Sequence, residues 1–389
     1  MSGDLPFGFG VPDEGGPSGP QQPFDMSQLG AMLQDLGRMM QSGAGSQGPV
    51  NWQMCKDAAR QALAASPDPS VSSSEQRSVD QAVSLAQVWL DPACTFPASA
   101  PDGRAWSRAE WLEGTFPAWQ RIVTPIAEQV SAAMQPSQGD ASDALTAMLP
   151  EGLPPEAAGM IVPLMAMARQ MGSALFGLQI GQGLAALAAE VVSTCDVGIP
   201  LTSDHRPTLL PRNISAFGEG LGIPDDEVTL YLALRESAHQ RLFAHVPWLA
   251  ARLDGAVEAY ARGIRVNPER LGDAMRGIDP AVMSDPSRLA EMLGDDVFAQ
   301  EDTPEQQAAL ARLETLLALI EGWVSDVVTQ ASDSRLPNAA RLAETMRRRR
   351  AAGGPAERTF ASLVGMELRP RSLREAAELW QALREQRGT

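Results

Sequence analysis

The sequence has few of the residues that build metal clusters or disulfide frameworks. Its 389 residues include three histidines and three cysteines, Cys55, Cys94 and Cys195. The cysteines are odd in number and far apart, which excludes a disulfide framework and a CxxC metal site. We therefore expect them to be small buried thiols in a reducing compartment.

Aromatic residues and positive charges are also scarce. Aromatic residues make up 5% of the chain, so Leu, Ala, Val and Met must fill most of the core. Lys and Arg number 31 against 48 Asp and Glu, which gives a net charge of −17. This negative charge repels phosphate backbones and anionic lipids, so neither nucleic acid nor a membrane is an expected partner. We expect a protein or peptide partner, which the sequence does not identify.

The chain shows neither a signal peptide nor a clear membrane span. Its first residues, MSGDLPFGFG, lack a basic region and an apolar core. The most apolar stretch, residues 174–192, is interrupted by Gln179, Gln182 and Glu190 and is predicted to be a buried helix. We therefore expect a cytoplasmic protein.

The composition changes once along the chain. Residues 1–49 are expected to form a disordered Gly/Pro/Gln-rich tail that carries a short Met-rich helix over 26–41. Residues 50–389 are expected to form a single helical domain. No run of alternating strands is visible, and at most a few short strands are expected within 196–215. The predicted fold class is mainly α.

Two long helices have clear boundary signals. One is predicted to begin at Pro224, where acidic residues follow in the first turn, and to end before Pro247. The other is predicted to begin at Thr303, an N-cap followed by proline, and to continue to about residue 331. A third helical pattern contains three glycines. A dinucleotide loop would need GxGxxG directly after a strand, so these glycines indicate close helix packing instead: Gly177, Gly181 and Gly183.

One segment of the first long helix carries a chemical motif, Arg235-Glu236-Ser237-Ala238-His239. Zinc proteases use H-E-x-x-H on a helix, where the two histidines bind zinc and the glutamate acts as general base on zinc-bound water. Here the base position, Glu236, and the second ligand position, His239, are present. Arg235 replaces the first histidine.

Helical periodicity predicts a partner for this arginine. Positions four apart on a helix differ by about 40° in direction, so one stripe of the helix contains Val228, Tyr231, Leu232, Arg235, His239, Leu242 and Val246. The later helix has an apolar stripe that Glu321 interrupts in the same way. Since buried charges need partners, we predict that Arg235 pairs with Glu321, with Glu236 and His239 hydrogen-bonded around the pair.

Other basic residues have simpler interpretations. His245 has the spacing of a third metzincin ligand, but Leu242 stands where that class needs a glycine, so His245 is predicted to be a helix-end residue. His205 is the remaining histidine and the candidate if zinc is recruited by another route. Arg347–Arg350 is predicted to end a helix, where positive charge is favourable.

Several long segments resemble a zincin-like family of actinobacterial proteins, named as zinc-dependent metalloproteases or hydrolases, some of whose relatives are associated with deazaflavin-coenzyme biosynthesis. The resemblance covers about residues 50–385 and is carried by these segments: Trp89–Asp91, Trp106–Trp111, Phe176–Gly181, Asp196–Pro200, Tyr231–Leu249, Leu319–Val324 and Gly353–Phe360. It implies a zincin-like helical fold.

The resemblance also implies roles for the site residues. Glu236 corresponds to the general base, and His239 and Glu321 correspond to metal ligands. Arg235 departs from the pattern, because a guanidinium has no lone pair and stays charged. We therefore predict a metal-free, non-catalytic protein without a cofactor, which acts in binding or as a scaffold. The alternative is an active zinc hydrolase that uses Glu236 as its base.

Overall fold

The computed structural model describes residues 48–133, 155–264, 303–354 and 372–388. These residues contain ten helices and two short strands. In chain order they are α1 (Trp52–Ala64), α2 (Ser73–Leu90), β1 (Arg104–Ala105), α3 (Arg108–Ala133), α4 (Pro155–Glu190), β2 (Thr208–Leu209), α5 (Pro211–Gly218), α6 (Asp225–His245), α7 (Trp248–Ala261), α8 (Pro304–Ser332), α9 (Ala339–Ala351) and α10 (Leu373–Arg387). The prediction of a mainly α fold is confirmed.

Local signals account for the ends of the two long helices. Asp225, Asp226 and Glu227 occupy the first turn of α6, where negative charge complements the helix dipole. Thr303 forms a capping box with Gln306 at the start of α8, and Pro304 occupies the first helical position. These starts lie where the sequence predicts them, because the capping interactions are made within a single turn.

The two strands join distant parts of the chain. β1 pairs with β2 in parallel, with Arg104 opposite Thr208 and Ala105 opposite Leu209. Ser193 forms an isolated antiparallel bridge with Leu209. The expectation of short strands within 196–215 covers β2, whereas β1 was not predicted. A strand of two residues is too short to show alternation in a sequence.

The described residues form two hydrophobic clusters that meet along α8. One cluster draws on α1, α3, α4 and α7 and contains the fully buried Trp111 and Trp119. The other draws on α2, α6 and α9 together with both strands. Residues 46–389 constitute one compact unit of the chain, and all described residues lie in it. The tail predicted for residues 1–49 falls, up to residue 47, outside the described residues.

Helices α1 and α4 approach each other closely at glycines. A Cβ atom added to Gly181 would overlap the carbonyl oxygen of Cys55, and one added to Gly177 would lie 2.6 Å from the carbonyl oxygen of Asn51. Both glycines therefore serve helix packing, as their position inside a helical pattern indicates.

Within the described residues, Gly172–Glu190 of this helix is also long and apolar enough to cross a membrane by length and composition; 39% of it is buried inside the protein.

The close approach predicts opposite effects for two glycine substitutions in α4. Gly181→Ala should destabilise the protein by about 1–3 kcal/mol, because the methyl group forces α1 away. Gly172→Ala is the matched control, since its Cβ would meet nothing within 4 Å. The control should be neutral or stabilising by up to about 1 kcal/mol, because alanine is the better helix former. Urea unfolding measures both, and equal effects would contradict the packing argument.

Candidate functional site

The site is built on α6, which is buried around its whole circumference. Every residue from Leu230 to Phe243 is buried, including the charged residues Arg235, Glu236, His239 and Arg241. The sequence predicted that a single stripe of this helix faces the core, and that prediction is therefore incomplete. Buried polar groups need hydrogen-bond partners, and those of α6 find theirs on several neighbouring elements rather than on one.

The carboxylate of Glu321, on α8, is the centre of the first network. Its Oε2 accepts a hydrogen bond from Arg235 Nη2 at 2.6 Å. Its Oε1 lies 2.9 Å from His239 Nε2 and 2.7 Å from Arg350 Nη2. The structure thus brings together Arg235, His239 and Glu321, and adds an arginine that the sequence analysis did not place here. The exposed fraction of the Glu321 side chain is 6%.

His239 is held at both ring nitrogens. Nδ1 lies 2.9 Å from the backbone carbonyl oxygen of Arg235, and Nε2 faces the Glu321 carboxylate. Both neighbours are hydrogen-bond acceptors. Only the imidazolium form donates from both nitrogens, so this form satisfies both contacts at once. In that form the ring has no lone pair to offer a metal.

The network keeps Glu321 and Arg235 charged. Burial alone would raise the pKa of Glu321, but the guanidinium groups of Arg350 and Arg235 outweigh it and hold that pKa well below its usual range. Burial works against the charge of Arg235 as well, yet the Glu321 carboxylate raises the pKa of the guanidinium. The centre of the site is therefore a charged cluster at neutral pH.

Glu236 belongs to a separate network on another side of α6. Its Oε1 accepts hydrogen bonds from Thr194 Oγ1 at 2.6 Å and from Gln240 Nε2 at 2.8 Å, and its Oε2 accepts one from Cys195 N at 3.1 Å. Its exposed fraction is 1%. The expectation that Glu236 is bonded around the Arg235–Glu321 pair is wrong. The carboxylate instead anchors the chain that follows α4, because that segment offers it two donors.

The arginine run at the end of α9 divides into two pairs. Arg347 and Arg348 stay at the surface and contact Glu344, with Arg348 79% exposed. Arg349 reaches the buried Asp196, with Nη1 2.9 Å from Oδ2, and Arg350 Nη2 reaches the Asp196 carbonyl oxygen as well as Glu321. Burial opposes the charge of Asp196, but Arg349 and Arg350 lower the pKa of its carboxyl. The prediction that the run ends a helix is confirmed, since Arg348, Arg349 and Arg350 lie in the last turn of α9, and the structure adds the buried contacts of Arg349 and Arg350.

The other two histidines lie elsewhere. His245 ends α6, with Nδ1 2.9 Å from the Arg241 carbonyl oxygen, and it stacks on Phe96 with ring centroids 5.6 Å apart. His205 lies in the loop before β2 with a positive φ of 49°. Across the described ranges, no three His, Cys, Asp or Glu side chains are grouped so that they could hold a metal ion.

The donor set of this site does not fit zinc. A catalytic zinc ion takes three protein ligands at about 2.0–2.2 Å and keeps one open position. Here both oxygens of Glu321 contact guanidinium groups, and His239 Nε2 contacts Glu321. A dication would have to displace Arg235 and Arg350, which carry fixed charges of the same sign.

A cavity of about 280 Å³ adjoins the cluster. Arg235 lines it from α6 and Glu321 and Ser325 line it from α8, and the other lining residues belong to α9 and α10. α10 lies directly against α8 at Gly322, where an added Cβ would lie 2.7 Å from the Ala376 backbone, and Trp380 Nε1 donates to the Leu319 carbonyl oxygen at 2.8 Å. This close packing fixes one wall of the cavity.

Comparison with known proteins concerns nearly the whole helical region. Residues 50–389 match the family model described as zincin-like metallopeptidase. The crystal structure of a proposed hydrolase with a novel fold from Chloroflexus aurantiacus is similar over 87% of this chain and 89% of that chain, with 19% identity and a TM-score of 0.57. At this identity the likeness concerns the fold. No curated protein matches the chain significantly.

Because several cations share the Glu321 carboxylate, removing this anion should destabilise the protein more than removing one of its cationic partners. Glu321→Gln should cost about 3–5 kcal/mol of the free energy of unfolding, because it leaves two buried guanidinium groups without their anion. Arg235→Met should cost less, since Glu321 keeps Arg350 and His239.

The matched control is Arg121→Met, which removes one partner of the ion pair between Arg121 and Asp254 on α3 and α7. That pair is partly exposed, so the control should cost less than about 1 kcal/mol. Urea unfolding at neutral pH measures all three variants. If Glu321→Gln cost no more than the control, the network would not support the fold.

Proposed function

This chain belongs to the zincin-like metallopeptidase family, and from that premise we propose that it is a metal-free, non-catalytic member that acts as a binding or scaffold protein. The observation that carries the proposal is that each carboxylate oxygen of Glu321 contacts the guanidinium group of an arginine. Arg235 Nη2 and Arg350 Nη2 lie 2.6 and 2.7 Å from its two carboxylate oxygens. The motif position of the first ligand therefore supplies a cation to the carboxylate that would complete a metal site.

The surroundings of Glu236 support the same proposal. A general base of this class must reach a metal-bound water molecule. Glu236 instead accepts three hydrogen bonds from Thr194, Cys195 and Gln240 in the interior. Freeing it would leave the buried donors Thr194 Oγ1 and Cys195 N without a partner, each at a cost of about 1–3 kcal/mol, whereas Gln240 Nε2 would keep its contacts with Thr194 Oγ1 and Cys195 Sγ. These contacts favour a structural role for Glu236 over a catalytic one.

We further propose a cytoplasmic protein with a protein or peptide partner, and with neither nucleic acid nor a membrane surface. The net charge of −17 supports the last two points. The cavity of about 280 Å³ beside Arg235 and Glu321 provides a concave surface for part of a partner. Such a site would use the old position of the zincin metal for recognition instead of hydrolysis.

Metal content tests the proposal directly. We expect the purified full-length protein to contain far less than one equivalent of zinc after dialysis against a zinc-containing buffer, measured by inductively coupled plasma mass spectrometry. The control is His239→Ala, which should show the same low background. One equivalent of zinc in the unmodified protein, lost in the control together with a hydrolytic activity that requires Glu236, would favour an active zinc hydrolase instead.

A second prediction concerns recovery of the metal site. Arg235→His supplies a histidine one helical turn before His239, so zinc affinity should become measurable by titration against a chromogenic chelator. Arg350 still holds Glu321 in that variant. Arg235→His combined with Arg350→Gln should therefore bind zinc more tightly than Arg235→His alone.

Arg348→Gln, combined with Arg235→His, is the matched control, because Arg348 is 79% exposed and contacts Glu344 instead of Glu321. It should leave the affinity of Arg235→His unchanged. Equal zinc affinity of the two double variants, one with Arg350→Gln and one with Arg348→Gln, would show that Arg350 does not keep zinc away from Glu321.

A further inference from the structure

The cavity beside Glu321 concentrates positive charge on a strongly negative protein. Among the residues that the structure describes, its wall contains four arginines, Arg235, Arg347, Arg350 and Arg374, and two acidic residues, Glu321 and Glu344. The lining thus has a formal charge of +2, whereas the whole chain carries −17. The cavity is partly open to solvent, and its buried charges at Arg235 and Glu321 are less screened than charges on an open surface.

The arginines have donors left for a ligand. Arg235 and Arg350 each use one Nη atom on Glu321, and a guanidinium carries five N–H donors. Arg350 Nε is buried and has no hydrogen-bond partner among the described residues. Arg347 is about half exposed at its contact with Glu344. Arg374, on α10, makes no ion pair with a carboxylate in the described ranges and is exposed.

The chemistry of these groups selects an anion. Guanidinium forks bind carboxylate and phosphate oxygens with two parallel hydrogen bonds. A phosphate monoester carries about −1.5 to −2 charges at neutral pH, which matches the lining charge of +2. Apart from Ser325, the remaining described wall is apolar and includes Ala343, Met346 and Leu373. A volume of about 280 Å³ accommodates one phosphate group with a small organic substituent.

We propose that this cavity binds a small phosphate monoester, with Arg347 and Arg374 gripping the phosphate at the mouth and Arg235 and Arg350 forming the inner end. The inference rests on the proposed function, because Glu321 must be neutralised by arginines and not by zinc. It also goes beyond it, since it assigns the cavity a ligand class. In this proposal, Arg235 and Arg350 in the cluster around Glu321 form a rigid, positively charged inner end of the cavity.

Isothermal titration of the full-length protein with phenyl phosphate, at constant ionic strength, tests the proposal. Saturable binding of one equivalent is expected. Arg347→Gln and Arg374→Gln should each weaken binding by about tenfold or more, because each removes a charge-assisted contact. The matched control is Arg348→Gln, on the same helix but outside the cavity lining. It removes the same charge and should leave the affinity unchanged, and thermal unfolding should be similar for all three variants.

Four outcomes would overturn the inference. They are the absence of saturable binding, an equal loss in the Arg348→Gln control, malonate binding as tightly as phenyl phosphate, and phosphate binding that disappears with a chelator. Zinc measured in the same preparation separates this inference from the proposed function. A metal-free protein that does not bind phenyl phosphate overturns the ligand assignment alone. One equivalent of bound zinc overturns the proposed function, whatever the titration gives.

Discussion

Burial of the Glu321 carboxylate is the constraint on which the centre of this protein depends. The group lies on α8 between α6 and α9, and each of these helices contributes a cation to it, Arg235 from α6 and Arg350 from α9. A carboxylate buried without such partners would be costly, whereas one shared by two guanidinium groups and an imidazole is stabilised by hydrogen bonds at both oxygens. The cluster therefore fixes the mutual positions of three helices and forms the floor of the adjoining cavity.

The same interaction changes what a zincin-like helix can do. In an H-E-x-x-H site the first and fifth positions of the motif offer lone pairs to a cation. Here the first position offers a cation to an anion, and the imidazole at the fifth position faces acceptors at both nitrogens. Glu236 is directed to Thr194 and Cys195. Glu321 and His239 thus lie in contact, but Arg235 and Arg350 supply the positive charge at this carboxylate, which is the basis of the metal-free proposal.

Part of this site could be predicted from the sequence because its signal is periodic. Arg235 and Glu321 each interrupt an apolar stripe with opposite charge, and the structure places them in contact. Arg350 was missed, although it carries a related signal. It follows the buried Leu342 and Met346 at intervals of one helical turn, so it continues their stripe. Its position in a run of four arginines hid this periodicity, because each neighbour has the same residue type.

The sequence by itself determined the local features of this protein. The starts of α6 and α8 follow from proline, acidic residues and a threonine cap, since those interactions are made within one turn. It also determined that Arg235 cannot be a metal ligand, since no environment gives a guanidinium an available lone pair. Tertiary structure alone decided where Glu236 points, which arginines of α9 turn inward and that a cationic cavity forms beside Glu321. These features depend on distances between elements far apart in the chain, and no periodicity within a single helix encodes such distances.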